Sequence, residues 1–363
     1  MISSPRPSRP LVRLLVPDAG NGRNLALVRA IGESLHERHQ WELDLAVDHS
    51  PEEFLHHWAQ QPADALLVLP TRPFQGGILH RLGVPTVTLL IEDPPLPAIL
   101  PDDEAIGRMA AQHLQRPGWA PQVVIPFPSV WSAARVRGWR TIFPDGEELL
   151  FPVNPKAREE WVRRLPPQTA LFATNDSTAL AVAATARRVG RTIGSDIRLV
   201  GVDDEIDCLL TTPALSSIPL PLRTIGSLAV RQMAQLLHGK PVPARQVVAP
   251  GGLVVRGSSD PLNAAPSWLR DLAEDLRMTI ARGRPPDLLR LLARQGVHRT
   301  TVSRAWRTAT GLSVRESVQH LRREIARQRL EEGQSEATVA ASLGLHSVRS
   351  LRRIMAGRAS QDS

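Results

Sequence analysis

The 363-residue chain contains one cysteine, Cys208, and no tyrosine, and aromatic residues make up only 4% of it. A single cysteine excludes an internal disulfide and a four-cysteine zinc site, and it fits a reducing cytoplasm. No apolar run approaches the ~18–20 residues that a transmembrane helix needs. Residues 1–10 carry arginines and prolines and lack the features of a secretion signal, so we expect a cytoplasmic protein without membrane contact.

The net charge of +8 is carried entirely by the last hundred residues. Residues 1–263 contain 26 basic and 26 acidic side chains, and therefore sum to zero. Residues 264–363 contain 18 arginines, no lysine and 10 acidic side chains. A basic domain localised in this way is typical of nucleic-acid binding, although a merely soluble, arginine-rich surface would have the same composition.

Between residues 11 and about 255, short apolar segments alternate with amphipathic ones. Predicted strands include Ala65–Leu69, Gln122–Ile125 and Ile197–Val202, and predicted helices include Asn24–Arg38 and Ser177–Val189. Strands that alternate with helices form parallel βαβ units, so the pattern predicts an α/β fold. The periodicity leaves open whether the strands form one large sheet or two lobes.

The pattern changes near residue 260, at the same place as the charge. Residues 258–267 are polar and contain proline, which is typical of a linker. After them the strand signals disappear, and the chain is predicted to be helical throughout. We therefore divide it into a disordered tail (1–10), an α/β ligand-binding domain (11–257), the linker, and an all-α basic domain (268–363).

The basic domain begins with a pattern typical of a helix-turn-helix. An amphipathic helix over Asp287–Gln295 is followed by a turn at Gly296 and by a second helix whose inner face carries Val302 and Trp306. The outer face of that second helix is polar and basic. An α-helix fits the major groove of DNA, where arginine pairs with guanine, so the pattern predicts DNA binding.

The same pattern recurs about 48 residues later, after a long predicted helix over Val314–Leu330. Gly344 stands at the second turn. The inner positions of the helix that follows are Val348, Leu351 and Met355, and its outer face carries Arg349, Arg352 and Arg353. The sequence thus predicts a double helix-turn-helix domain joined by one helix.

This double arrangement resembles the DNA-binding domain of the AraC family of transcription regulators. The strongest matches are the segments 302–306, 310–313 and 321–326, and the short pairs at 339–340 and 344–345. By this resemblance the partner is double-stranded operator or promoter DNA. Seven residues of the two reading helices would face its bases: Thr300, Ser303, Arg304, Arg349, Ser350, Arg352 and Arg353.

The second unit departs from the AraC pattern at several positions. Arg323 and Arg329 occupy positions that are usually apolar in the family, and Leu351 and Met355 stand where aromatic residues are usual. We therefore expect the second unit to be more loosely packed, or to read bases more weakly, than the first.

Polar side chains follow two buried strands of the α/β domain. Asn175 and Asp176 come after the first of these strands, and Asp203 and Asp204 after the second. In open α/β sheets the carboxyl ends of the strands line the ligand crevice. Carboxylates and amides there can form paired hydrogen bonds with vicinal hydroxyls, although each of these residues could instead cap a helix or shape a loop.

The same domain resembles the sugar-binding domain of LacI/GalR regulators, which has the two-lobed periplasmic-binding-protein fold. Matching strings occur at 172–176 (FATND), 193–204 (IGSDIRLVGVDD), 211–218 (TTPALSSI) and 225–240 (IGSLAVRQMAQLLHGK). The resemblance implies a ligand held between the lobes by Arg135, Asn175 and Asp203, with Asp204 beside them. Arg137 competes with Arg135, and a structural ion pair is an alternative role for Arg135.

An α/β sensor placed before an AraC-type domain resembles the architecture of xylose-responsive activators of the XylR type. The resemblance implies a sequence-specific transcription regulator, most simply an activator of sugar-catabolism genes, controlled by a monosaccharide such as xylose. It further implies a homodimer that contacts RNA polymerase when it activates. We expect no cofactor, metal or enzyme activity, because the sequence has no P-loop motif, no HExxH motif and no ligand-like clustering of histidines with cysteine or aspartate.

Three alternatives come from other classes of protein. The segment GNGRNLA follows the first strand as a dinucleotide fingerprint would, but Leu25 stands at the third glycine position. Asp203, Asp204 and Glu205 suggest glycosidase chemistry, but consecutive carboxylates do not establish the ~5–10 Å separation that it needs. The third is a small-molecule-binding protein whose helical tail contacts other proteins instead of DNA.

Overall fold

The computed structural model describes residues 9–16, 22–38, 41–47, 50–69, 77–115, 119–260, 262, 265–284, 297–310, 312–331 and 333–356. This part of the chain divides into two compact units. Unit 1 contains Met1–Gly107, Pro128–Gly138 and Leu220–Pro250, and unit 2 contains Arg108–Phe127, Trp139–Pro219 and Gly251–Ser363. The predicted helix over Asp287–Gln295, the turn at Gly296 and most of the predicted N-terminal tail lie outside the described residues.

Unit 1 contains, among its described residues, a parallel sheet of six strands. These are β1 (Leu11–Leu15), β2 (Glu42–Ala46), β3 (Ala65–Val68), β4 (Thr86–Leu89), β5 (Ala98–Pro101) and β11 (Arg245–Val248). Their order is β11-β5-β4-β3-β1-β2. The helices of this unit are α1 (Gly22–Arg38), α2 (Pro51–Gln60), α7 (Leu222–Leu237) and parts of α3 (Asp103–Leu114) and α4 (Val130–Arg140).

Unit 2 contains, within the described ranges, a second parallel sheet, of five strands. These are β6 (Gln122–Ile125), β7 (Glu147–Glu148), β8 (Thr169–Ala173), β9 (Ile197–Val202) and β10 (Ser216–Ile218), in the order β10-β9-β8-β6-β7. Two of its helices are α5 (Pro155–Arg164) and α6 (Asp176–Arg188). The α/β fold predicted from the sequence is therefore confirmed, and its strands are divided between two sheets.

The described residues after 265 form helices, which we call the helical tail. They are α8 (Ser267–Ala281), α9 (Arg299–Thr310), α10 (Val314–Glu331), α11 (Glu336–Ser342) and α12 (Val348–Met355). Among the helices that the structure describes, none combines the length and the apolar character needed to cross a membrane.

The sequence pattern does not predict β5 or β10, because both carry residues that are typical of loops. β5 is preceded by Pro97 and ends at Pro101, yet it pairs with both β4 and β11. β10 consists mainly of Ser216 and Ser217, and both serines are fully buried. The backbone N–H of Ser216 donates to Ser258 Oγ at 2.8 Å, so neighbouring side chains satisfy this polar strand.

Helices α1 and α7 form one wall of the unit 1 core. Leu27 and Ile31 of α1 are fully buried in the same apolar cluster as Ile225 of α7. The two helices approach closely at Gly226, where a Cβ would lie 2.9 Å from the carbonyl carbon of Ala30. Each buried aliphatic side chain contributes about 1.5–3 kcal/mol, so this helix pair is a main support of the unit 1 sheet.

The predicted linker over 258–267 begins inside the packed structure. Ser258 is buried, and its Oγ accepts from the backbone N–H of Ser216 and donates to the carbonyl oxygen of Leu199 at 2.6 Å. Leu262 then joins the apolar cluster of the helical tail. The polar composition at 258–259 therefore reflects hydrogen bonding to the unit 2 sheet.

Trp306 of α9 belongs to the helical tail's apolar cluster. It is 4% exposed, and its Nε1 donates to Ser317 Oγ at 2.8 Å. Other buried members of the cluster are Leu269, Leu272, Leu276, Val302, Val318, Val339, Leu343 and Leu351. The inner positions predicted at Val302, Trp306 and Leu351 are confirmed, whereas Met355 is only partly buried.

Arg323 and Arg329, which depart from the AraC pattern, bind the ends of neighbouring helices. Arg329 of α10 donates to the carbonyl oxygens of Ser342 in α11 and Ala281 in α8, at 3.1 and 2.8 Å. Arg323 donates to the carbonyl oxygen of Ile354 in α12 at 2.9 Å. The last carbonyls of a helix lack intrahelical partners and carry partial negative charge, which a guanidinium satisfies. The expectation of loose packing at these two positions is therefore wrong.

Gly138 of α4 provides a test of the packing in unit 1. A Cβ at this position would lie 1.9 Å from the carbonyl oxygen of Glu104, so Gly138→Ala must push α4 away from the start of α3. Overpacking of this kind costs about 1–3 kcal/mol. We expect Gly138→Ala to lower the free energy of unfolding by about 1–3 kcal/mol in urea denaturation.

Gly32→Ala in α1 is the matched control, because a Cβ at that position meets nothing within 4 Å. Alanine loses less backbone entropy than glycine in a helix, so this variant should gain about 0.5–1 kcal/mol. Equal effects of the two substitutions would show that the close contact at Gly138 does not exist.

Candidate functional site

The carboxyl ends of β8, β9 and β10 lie side by side at one edge of the unit 2 sheet. Asn175 stands at the end of β8, as the sequence predicts, and it is 8% exposed. It is also the N-cap of α6, since its Oδ1 accepts from the backbone N–H of Thr178 at 2.9 Å. The structure thus shows the capping role, and a ligand contact by Asn175 stays a prediction.

Asp176, the first residue of α6, is fully buried. Its Oδ1 accepts from Ser217 Oγ at 2.7 Å, and its Oδ2 accepts from the backbone N–H of Glu205 at 3.0 Å and from Cys208 Sγ at 3.1 Å. One carboxyl group therefore joins β10 to the segment that follows β9. The sequence placed Asp176 at this edge without assigning it a role, because its partners are 29 to 41 residues away.

Burial raises the pKa of Asp176 to about 7. Desolvation penalises the charged carboxylate most, and the negative charge of Asp203 adds to the effect, while the hydrogen bond from Ser217 opposes it. Gly201 of β9 makes room for the carboxyl group, because a Cβ there would lie 2.1 Å from Asp176 Oδ1. Asp176 therefore titrates close to physiological pH.

Asp203 and Asp204 follow β9 in a strained turn. Their φ angles are +113° and +54°, a region that residues other than glycine rarely occupy. The backbone N–H of Asp203 donates to the carbonyl oxygen of Ile218, and that of Asp204 donates to Ser217 Oγ, each at 3.0 Å. Such strain costs about 1–3 kcal/mol per residue and is common at functional sites.

The carboxylate of Asp204 forms an ion pair with Arg256. Asp204 Oδ1 lies 2.6 Å from Arg256 Nη1, and the two side chains are only 22% and 17% exposed. The structure thus shows that Asp204 shapes this turn, which was the alternative to a ligand contact. Asp203 is half-buried at the same edge. Ligand contacts by Asp203 and Asp204 stay predictions.

Arg135 lies in unit 1, where it is 2% exposed and its Nε donates to Asp103 Oδ1 at 2.8 Å. Its guanidinium also lies over the ring of Trp131, 4.5 Å from the ring centroid. Arg137, its competitor, has an exposed side chain paired with Glu104. The structural ion pair that was the alternative for Arg135 is therefore present.

Arg135 also lines a cavity of about 60 Å³ in unit 1, together with Asn24, Asp103 and Trp131. An amide, a carboxylate, a guanidinium and an aromatic ring are the groups that recognise polyols by hydrogen bonding and stacking. Sequence reasoning missed Asn24 and Asp103, because each is one of several polar residues in its stretch of chain, DAGNGRN and PDDEA, and nothing in the pattern singles it out. Within the described ranges, no group of side chains suited to hold a metal ion occurs.

The helical tail exposes most of the residues predicted to face DNA. Thr300, Ser303 and Arg304 of α9 are exposed on the side opposite its buried residues. In α12, Arg349 and Arg352 are exposed, whereas Ser350 is half-buried.

Arg353 was predicted to lie on the outer face of α12, and the structure corrects this prediction. Ile354 and Leu351 are the buried residues of α12, and Arg353 is half-buried beside them. Successive residues of a helix lie about 100° apart, so the neighbour of an inner residue lies at the border of the buried face. Arg352 is bound at both carboxylate oxygens of Glu336, with a closest distance of 2.7 Å.

Parallel sheets with polar side chains at the strand ends are the frame of one known type of ligand-binding domain. Residues 79–259 match the family model described as a periplasmic binding protein-like domain. This part of the chain is similar to a periplasmic binding protein-like domain. The fold that the LacI/GalR resemblance implied is thereby confirmed for this part of the chain.

Several transcription regulators are similar to the chain. The HTH-type transcriptional regulator DegA of Bacillus subtilis is 25% identical over 281 residues, which cover 70% of this chain and 82% of the relative. The lactose operon repressor of Escherichia coli is 28% identical over 217 residues, 55% of this chain and 58% of the repressor. The solved structure of the xylose-binding transcription activator xylR is 20% identical, with a TM-score of 0.59 over 98% of this chain and 96% of that one.

The pKa of Asp176 makes the stability of the periplasmic binding protein-like domain depend on pH. The pKa rises from an ordinary value of 3.8 to about 7 on folding, so only the folded protein holds this proton between those pH values. The stability contributed by the protonated carboxyl is present below about pH 4 and lost as the pH rises to 7. Asparagine at this position stays neutral throughout.

The free energy of unfolding of the wild type, relative to that of Asp176→Asn, should therefore fall between pH 4 and pH 8. The slope is about 1.4 kcal/mol per pH unit, and the total loss is up to roughly 4 kcal/mol. Urea denaturation of both proteins at each pH measures this difference, and groups common to both cancel. Asp207→Asn, an exposed neighbour, is the control and should show no such trend. A pH-independent difference for Asp176→Asn would contradict the assignment.

Proposed function

We propose that the chain is a DNA-binding transcription regulator controlled by a small sugar. The observation that carries this proposal is α9, which buries Val302 and Trp306 and exposes Thr300, Ser303 and Arg304, on the same chain as a periplasmic binding protein-like domain. A helix with one polar, basic face is suited to the major groove. The confinement of the positive charge to residues 264–363 supports the same function.

The proposed effector is a monosaccharide of the xylose type, contacted by Arg135, Asn175 and Asp203. Amide, carboxylate and guanidinium groups together supply the donors and acceptors that vicinal hydroxyls need. The xylose operon regulatory protein of Escherichia coli, 24% identical over 187 residues, and the xylose-binding neighbour support a carbohydrate. Asp204 supports the site mainly by fixing the turn, since its carboxylate is bound by Arg256.

The proposed mechanism is a population shift. Arg135 belongs to unit 1, whereas Asn175 and Asp203 belong to unit 2. A ligand shifts an equilibrium only by the difference in its affinity for the two states. The sugar therefore acts on DNA binding only if it prefers one state.

We further propose that the helical tail is of the AraC type. The protein would act as an activator, as a homodimer that contacts RNA polymerase. Arg304 of α9 and Arg349 of α12 are the exposed candidates for direct contacts with bases. Arg352 must exchange Glu336 for DNA before it can contribute. Arginines 323 and 329 are engaged within the tail and are not assigned to DNA.

Asp203→Asn tests the sugar site, because asparagine keeps the shape of the side chain and tolerates positive φ. Loss of a charge-assisted hydrogen bond costs about 1.5–3 kcal/mol, so the affinity for the sugar should fall about 10- to 150-fold. Isothermal titration calorimetry with D-xylose, D-ribose and L-arabinose measures the change. Asp207→Asn serves as the control, and equal sugar affinity of the wild type and Asp203→Asn would exclude the contact.

Arg304→Ala tests the DNA interface. An arginine that pairs with guanine contributes about 1–3 kcal/mol of discrimination, so binding to the gene's own upstream region should weaken about 5- to 150-fold. Gel-shift titrations at several salt concentrations measure affinity and the number of phosphate contacts. Arg163→Ala, which changes an exposed arginine of α5, should leave binding intact. If the helical tail contacts other proteins instead of DNA, neither the wild type nor Arg304→Ala will bind the duplex.

A further inference from the structure

Residues 251–260, which we call the connecting segment, lie between the Asp204 turn and the helical tail within unit 2. Arg256 is its central residue. The Nη1 atom of Arg256 contacts Asp204 Oδ1 at 2.6 Å and donates to the carbonyl oxygen of Leu215 at 2.8 Å. Its backbone N–H donates to Ser216 Oγ, and its carbonyl oxygen accepts from the same hydroxyl. Both the side chain and the backbone of Arg256 are therefore fixed to the sheet edge that carries the candidate ligand site.

Further hydrogen bonds hold the connecting segment along its length. Val254 exchanges two backbone hydrogen bonds with Ser217, at 2.8 and 3.1 Å. The backbone N–H of Leu199 donates to the carbonyl oxygen of Ser258 at 2.9 Å. A displacement of β9 or β10 at this edge must therefore displace the connecting segment as well.

The connecting segment also contacts the helical tail. Gly252 lies against Arg327 of α10, since a Cβ at this position would lie 2.3 Å from Arg327 Nη1. Val255, the neighbour of Arg256, lines a cavity of about 150 Å³ together with Leu276 of α8 and Trp306 of α9. A cavity of this size gives the surrounding side chains room to repack, since close-packed interiors otherwise resist small displacements.

We propose that Arg256 is a positioning residue that couples the Asp204 turn to α9 and α10 through the connecting segment. This inference rests on the proposed function, and it states how that function is regulated. A coupling element must have two arrangements, which both sites bias. The strained turn at Asp204 is one site that biases the choice between the two arrangements. The packing of Trp306 against the cavity is the other.

Cys208 provides a readout at the Asp204 turn that needs no knowledge of the sugar. It is the chain's one cysteine, and it is fully buried in the short helix that follows the turn. Burial raises the pKa of the Cys208 thiol, and the thiol donates to Asp176, so it reacts only when this region opens. The rate at which the disulfide reagent DTNB labels the chain therefore measures opening of the turn.

The experiment labels the full-length chain with DTNB in the presence and absence of a DNA duplex from the gene's upstream region. Coupling between two sites is reciprocal, so DNA bound at the tail must alter the equilibrium at the turn. We expect the labelling rate of the wild type to change at least threefold on saturation with DNA. In Arg256→Gln the basal rate should rise, DNA binding should persist, and the DNA-dependent change should disappear.

The variants distinguish coupling from simple support of the fold. If Arg256 only supports the fold, Arg256→Gln raises the labelling rates with and without DNA and leaves their ratio unchanged. If Arg256 couples the two sites, the ratio of the two rates falls to about one in Arg256→Gln. Arg256→Lys should restore part of the effect of DNA on the labelling rate. If Arg256→Gln fails to fold, Asp204→Asn takes its place. It removes the other partner of the ion pair and should give the same result. Arg140→Gln, which breaks an exposed ion pair with Glu148 in the same unit, should keep the wild-type ratio.

The possible outcomes separate this inference from the proposed function. If the duplex binds but the labelling rate of the wild type does not change, the coupling is overturned and the DNA-binding function stands. If Arg256→Gln keeps the wild-type ratio, the role of Arg256 is overturned. If gel-shift titration shows no duplex binding by the wild type, both the proposed function and the coupling fail.

Discussion

The candidate ligand site of unit 2 depends on the buried carboxyl group of Asp176. Donors from β10 and from the segment after β9 converge on it, through Ser217, Glu205 and Cys208. A buried donor without an acceptor costs about 1–3 kcal/mol, so these segments stay assembled at the sheet edge because Asp176 satisfies them together. The strained turn at Asp203 lies within this assembly, and its unfavourable backbone conformation persists because the surrounding hydrogen bonds determine it.

Charged groups inside the helical tail have a comparable role. Arg329 and Arg323 bind helix ends, and Arg352 is held by Glu336 on the surface. The excess of arginine in the tail therefore serves two functions, since some of the positive charge stabilises the helices and only the exposed remainder is available to an anionic partner. A count of arginines consequently overstates the number of phosphate or base contacts, and the exposed face of α9 is the better guide to the interface.

The sequence predicted those features of the fold that depend on neighbouring residues. β9 and α6 were predicted because a continuous apolar run and a helical stripe are visible within a short window. β10 was missed because its serines are polar, and their burial is satisfied by Ser258, some forty residues away. The ion pair between Asp204 and Arg256 spans 52 positions in the chain. Periodicity cannot reveal such partners, so it located the sheet edge but could not separate residues that shape the edge from residues that face a ligand.

The energy stored at the Asp203–Asp204 turn is of the size that regulation requires. Two residues in unfavourable φ regions store on the order of 1–3 kcal/mol each. Coupling energies between sites in regulated proteins are typically 1–3 kcal/mol, equivalent to 5- to 150-fold changes in affinity. Relief of strain at this turn is therefore large enough for the proposed regulatory change in DNA affinity, if the turn is mechanically joined to the tail. In the proposed coupling, Arg256 and the connecting segment join the turn to the tail within unit 2.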